Sequence, residues 1–158
     1  MWGQNVPMAV RVRPIAVTDA RAARLLAAAR TESDRLYPPQ DNHGIDPGAP
    51  PAALRLFGAK GGLRLLGIAG LLPRDGYAEV KAMFVVDTAR GRGVGAALLA
   101  EIERAAATSG LRVLRLETGA ASVAACRVYA RAGFAPCGPF GSYRAGGSSI
   151  FMERRPGR

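Results

Sequence analysis

The sequence predicts an α/β (α+β) domain, a mixed and mainly antiparallel sheet flanked by helices. Short apolar or alternating runs at Val10–Pro14, Leu54–Ala59, Leu63–Leu72 and up to Val86 read as strands. Two later segments carry apolar stripes at helical spacing, Ala96 to Ala107 and Ala120 to Ala132. Strands, then strand–helix–strand, then a helix and closing strands is the order of a mixed sheet. At 158 residues and 49% hydrophobic, the chain is long enough to bury one core, so 1–158 reads as a single domain.

Val10-Arg11-Val12-Arg13-Pro14 alternates apolar and basic residues, the pattern of a strand with one buried face. Thr18 is the expected N-cap of a helix from Asp19 to about Arg35, with Ala22, Leu25, Leu26 and Ala29 inward. Leu36 to Pro47 is rich in turn formers and reads as a surface loop. Leu54–Ala59 and Leu63–Leu72 follow as a hairpin joined at Lys60-Gly61-Gly62, and a strand ending near Val86 makes the third antiparallel member. Alternation along that strand puts Glu79, Lys81, Met83 and Val85 on one face. Leu111–Glu117 reads as a fifth strand. The helix after it has Ala121, Ala124, Ala125, Val128 and Ala132 inward, and Phe134–Pro136 and Ser148–Glu153 close the sheet.

The informative stretch is Arg90-Gly91-Arg92-Gly93-Val94-Gly95, between the third hairpin strand and the helix ended by Gly110. Glycines let a backbone turn sharply and approach a ligand without Cβ atoms in the way. The free N–H groups of the first helical turn, with the helix dipole, favour an anion, and Arg90 and Arg92 add two cations. A phosphate or pyrophosphate is the natural guest.

The turn resembles the Arg/Gln-x-x-Gly-x-Gly/Ala signature of the GCN5-related N-acetyltransferases, matched by Arg90, Gly93 and Gly95. Val128-Tyr129-Ala130-Arg131-Ala132-Gly133-Phe134 is similar to that family's second signature, Leu-Tyr-x-x-x-Gly-Phe. The resemblance extends from about Val10 to Glu153. It implies central strands splayed to admit a pantetheine arm, acetyl-CoA as cofactor, and direct transfer of its acetyl group to a primary amine of a small molecule or peptide. It implies cofactor contacts from Met83, Phe84 and Val85, from the turn Arg90, Gly91, Arg92, Gly93, Val94, Gly95 and Ala96, and from Ser122 and Ala125. Tyr129 matches the tyrosine that protonates the departing thiolate. Ser122 is a departure, standing where the family often has asparagine. A catalytically silent acyl-CoA-binding relative is therefore a further reading.

Glu79, beside the matched strand residues, is the expected base, and Glu117 is its rival. The resemblance implies that the loop after the first helix walls the acceptor pocket, which makes Tyr37 and His43, with Glu117, the candidates for substrate contact. Gly91-x-Gly93-x-x-Ala96, with Glu117 further on, also satisfies a dinucleotide fingerprint, but too little chain follows for a doubly wound sheet.

The net charge of +10 is nearly all arginine, Lys60 and Lys81 being the only lysines. Such a field attracts anions, and it favours an acceptor bearing carboxylate or phosphate over a polycation. The arginines are dispersed without interleaved aromatics, which argues against a nucleic-acid-binding module. Cys126, Cys137 and His43 have no metal-ligand spacing, so no metal is expected. Neither a signal peptide at Met1–Asn5 nor an apolar run of roughly 20 residues is found, so the expectation is a cytoplasmic protein, monomer or homodimer.

Overall fold

The computed structural model describes residues 9–156, so the reading of Met1–Asn5 lies outside it. Seven strands form one sheet in the order β1-β2-β3-β4-β5-β7-β6. They are β1 (Val10–Pro14), β2 (Arg55–Gly61), β3 (Arg64–Pro73), β4 (Ala78–Val85), β5 (Leu114–Gly119), β6 (Ala135–Pro136) and β7 (Ser149–Arg154). Three α-helices, α1 (Ala20–Leu36), α2 (Val94–Thr108) and α3 (Val123–Arg131), cover it. Every strand pair is antiparallel except β4–β5. The expected α+β sheet is therefore observed, and a doubly wound parallel sheet is not.

α2 lays Val94, Leu98, Leu99, Ile102, Ala105 and Ala106 into the larger core, with Phe57, Leu71, Val80, Leu114 and Leu116 of the sheet. α1 covers a second cluster, in which Ala22 and Leu26 meet Leu56 and Ile68. Asp19 caps α1, its carboxylate accepting from the Arg21 N–H at 2.9 Å. The expected cap, Thr18, stands one residue too early, and aspartate is an equally good acceptor for an unpaired first-turn N–H. In α3 the buried residue is Tyr129, while Ala121 and Ala124 are exposed. The helix starts later than expected, at Val123, so Ala121 precedes it; of the expected stripe Ala125, Val128 and Ala132 pack against the core and Ala124 does not.

Two irregularities at the sheet centre create the site. β4 and β5 are parallel and pair only at Ala78↔Leu114 and Glu79↔Arg115, after which no ladder joins them. In the β3–β4 ladder, Ile68 pairs with Phe84 and Gly70 with Lys81, so Ala82 and Met83 together oppose Ala69. This is a β-bulge, and Ala82 carries it at φ 54°, a left-handed conformation for a residue with a Cβ. The extra residue reverses the alternation. Ala78 and Val80 face the α2 core before the bulge, as do Met83 and Val85 after it, whereas Ala82 and Phe84 pack with the α1 cluster. The expectation that Glu79, Lys81, Met83 and Val85 share one face is thus corrected. Period-two counting fails across an inserted residue.

A test of the bulge follows from its backbone angle. Ala82→Gly, which accepts φ 54° without steric cost, is expected to stay within about 1 kcal/mol of the parent in urea unfolding. Ala82→Val, β-branched in the same conformation, is expected to lose about 1–3 kcal/mol. Equal stability of the two would mean that the left-handed residue is not required.

Candidate functional site

Gly91 (φ 75°) and Gly93 (φ 82°) both adopt the left-handed conformation, and a Cβ at either would meet open space. Gly93 is the N-cap of α2 and offers no side chain, and the first helical bond there is from Ala97 N–H to Gly93 C=O. The N–H groups of Val94, Gly95 and Ala96 are therefore free for an outside acceptor. Arg92 is exposed beside them. Arg90 is differently employed: its Nε donates to the Val85 carbonyl at 3.0 Å, and its Nη atoms lie 3.1 Å from Asp87 and 3.4 Å from Glu32. Its charge is offset locally, and it works by tying the turn to β4 and α1.

A cleft of about 610 Å³ starts at this turn, runs between the parted ends of β4 and β5, and ends against α1. Of the residues expected to bind cofactor, Met83, Phe84, Val85, Arg90, Gly91, Gly93, Val94, Gly95, Ala96, Ser122 and Ala125 line it, and Arg92 does not. Tyr129, Tyr37, His43 and Glu117 also line it, and Glu79 does not. Glu79 is 1% exposed and fully engaged. Arg74 contacts its Oε1 at 3.2 and 3.3 Å, and the Tyr143 hydroxyl donates to its Oε2 at 2.6 Å.

Two titratable groups lining the cleft are strongly shifted, and they differ in character. Burial pushes the Glu117 carboxyl up to about 7, only partly offset by Ser149 and Lys81. Burial, with smaller contributions from Cys126 and Glu117, drives the Tyr129 phenol well above its usual range. No hydrogen bond to another described residue occupies that hydroxyl. Near neutral pH the cleft thus holds a carboxyl poised to exchange its proton and a phenol that keeps its own.

Tyr37, which caps the C-terminal end of α1, spans the cleft to the far side. Its hydroxyl lies 2.6 Å from Ser122 Oγ, which makes no capping bond to α3. Its ring covers Gly119 so closely that a Cβ there would fall 2.0 Å from Tyr37 Cζ. The loop after α1 is likewise pinned: Asn42 bonds Ser33 and Asp34, Asp41 accepts from Ser148, and Ile45 is buried. Sequence reasoning missed Lys81, which lines the cleft, as well as Gly119 and Tyr143. The only available signals were a lysine in an arginine-dominated chain and a glycine at the end of a strand.

The comparisons with known proteins agree with this geometry. The model of the acetyltransferase (GNAT) family matches residues 20–134, most of the chain. The chain belongs to that family. It is accordingly an acyltransferase. An IAA acetyltransferase of Azospirillum brasilense is 40% identical over 122 residues, 75% of this chain and 80% of the relative. A candidate acyl-CoA N-acyltransferase of Klebsiella pneumoniae superposes with a TM-score of 0.79 at 27% identity, over 94% of this chain and 98% of its own. A GNAT acetyltransferase of Elizabethkingia anophelis, solved with acetyl-CoA bound, shares the fold at TM-score 0.67 and 18% identity, over 92% and 97% of the two chains. Among the described residues, no helix of this acyltransferase is long and apolar enough to cross a membrane.

Gly119→Ala is expected to expel the Tyr37 ring and lower stability by about 1–3 kcal/mol, the usual cost of overpacking. Tyr37→Ala in the same background should relieve most of that loss, and a double-mutant cycle by denaturant unfolding reads the coupling. Simple additivity would mean that Tyr37 does not rest on Gly119.

Proposed function

We propose that the chain transfers the acetyl group of acetyl-CoA directly to a primary amine of a small molecule or peptide. The observation that carries this reading is one cleft joining an anion-binding helix end to a buried tyrosine hydroxyl and a carboxyl of raised pKa. The residues fit the cofactor. Three free N–H groups and open left-handed glycines suit its pyrophosphate, and the unpaired edges of β4 and β5 leave room for a slender arm. When bound there, acetyl-CoA supplies an activated thioester carbonyl.

The chain's own groups divide the remaining work. Main-chain N–H groups of Met83 and Val85, on the edge of β4 that β5 leaves unpaired, orient the thioester and polarise its oxygen, while Phe84 pairs with Ile68 of β3 and offers its ring to the cleft. Glu117, ionised above about pH 7, takes the proton that the acceptor nitrogen must lose before or as it bonds to carbon. Tyr129 gives its hydroxyl proton to the leaving sulfur, a role suited to a phenol that burial holds protonated. Tyr37 and the loop behind it exclude water, which would otherwise compete with the amine.

Calorimetric titration with acetyl-CoA, with NADH as control, tests the cofactor: binding of the first and not the second is expected, and the reverse would sink the proposal. Tyr129→Phe is expected to lower kcat by about 10²-fold or more while leaving acetyl-CoA affinity within about twofold. An unchanged kcat would remove it as the acid. Glu117 acts as base only when ionised, so kcat/KM should rise with pH through about 7 and fall away below it. Glu117→Gln should lose that limb, and a variant that kept it would transfer the limb to another group.

A further inference from the structure

One side chain in the cleft is unused by this chemistry. Lys81 is one of two lysines in a chain whose other cations are arginines. Its side chain is only 13% exposed, yet it lines the acceptor half of the cleft. A buried ammonium is costly unless its charge and its three donors are matched. Two donors go to the His43 carbonyl at 2.9 Å and the Tyr143 hydroxyl at 3.0 Å, both neutral. Glu79 Oε2 forms an ion pair with it at 3.6 Å, longer than a hydrogen bond. That carboxylate is already shared with Arg74 and with the Tyr143 hydroxyl. Lys81 and Arg74 thus share the Glu79 carboxylate, and Lys81 is the one of the two that also lines the cleft. Glu117, in the same cleft, is close enough for Lys81 to influence its ionisation.

We infer that the acceptor is an α-amino acid, its carboxylate held by Lys81 while its amine meets Glu117. The inference rests on the acetyl-transfer reading above and narrows its substrate class. An uncharged amine would bring Lys81 no counter-charge beyond the Glu79 carboxylate it shares with Arg74, and a diamine would bring a second positive charge toward it. A zwitterion with its charges a few bonds apart matches both groups at once. A lone ammonium suits a single negative charge, whereas a phosphate with two favours bidentate arginine or a nest of N–H groups. Ala82, next to Lys81, packs with Leu26, Phe84 and Ile45, an apolar group within a lining that also holds Glu32, Ser33 and Asp41, so the amino acid carries an apolar side chain.

The test assays the full chain with acetyl-CoA against α-amino acids, each paired with its own carboxamide, with spermidine and phosphoethanolamine as outside acceptors. At least one apolar amino acid is expected to exceed its amide by about tenfold or more in kcat/KM. Lys81→Met should bring that ratio to within about twofold of unity, and Lys81→Arg, which keeps the charge, should retain a preference. A purely structural loss lowers acid and amide together and leaves the ratio unchanged. A wild-type ratio near one, a ratio that survives Lys81→Met, or faster turnover of spermidine or phosphoethanolamine overturns the inference while acetyl transfer stands. Absence of acetyl-CoA binding in the calorimeter fails the transfer reading instead. The acid-to-amide ratio of binding to the free protein, measured by ligand-observed NMR, then decides for or against Lys81 independently.

Discussion

The parting of β4 from β5 is the constraint on which the rest of this molecule depends. Two adjacent parallel strands that pair at only two positions leave main-chain donors and acceptors unmatched in the middle of a sheet. Buried polar groups in that state are expensive, so the gap persists only where something else holds the strands apart. On one side, the bulge at Ala82 turns β4 away from the ladder. On the other, β7 keeps β5 in an unbroken six-residue antiparallel register. The opening is therefore a property of the whole sheet, and α1, α2 and α3 border a gap that they do not themselves create.

The bulge has a second consequence. By reversing the alternation of β4, it sends Met83 and Val85 toward α2 and turns Glu79 and Lys81 to the opposite face, where the loops before β2 and β7 converge. Glu79 then becomes a buried anchor. Its two oxygens gather Arg74 from the β3–β4 turn and Tyr143 from the loop before β7, and Lys81 carries the link on to His43. Tyr143 adds aromatic contacts with His43, Phe140 and Phe151. Satisfying one buried carboxylate thus organises three segments that the sequence presents as unrelated turns.

The cleft is divided by chemistry as well as by shape. At the α2 end its binding capacity lies in main-chain N–H groups, which carry no net charge and need no particular side chain beyond glycine. Arg90 reinforces that end indirectly, through the Val85 carbonyl and two carboxylates. At the α1 end the determinants are side chains held in place by other side chains, Tyr37 on Ser122 and Gly119, and Lys81 on His43 and Tyr143. The first kind of site tolerates sequence change. The second couples selectivity to the packing of whole loops.

Much of this could be read from the sequence. The strand and helix order, the α2 stripe, the glycine turn and the family signatures at Arg90–Gly95 and Val128–Phe134 are local, and local spacing reports local conformation directly. Those features sufficed for the sheet, for the family, and for the backbone-lined end of the cleft. What periodicity could not supply was anything that depends on which distant segments meet. Ala82 has no residue-level mark of a left-handed conformation, so the reversal of β4 was invisible and Glu79 looked like a cleft residue. Lys81 gained its enclosure only when His43 and Tyr143, 38 and 62 residues away, closed over it, and the raised pKa of Glu117 comes from burial that local spacing does not report. Burial and charge pairing are sums over neighbours in space, so only the tertiary structure could decide which carboxyl lines the cleft and which is buried in the fold.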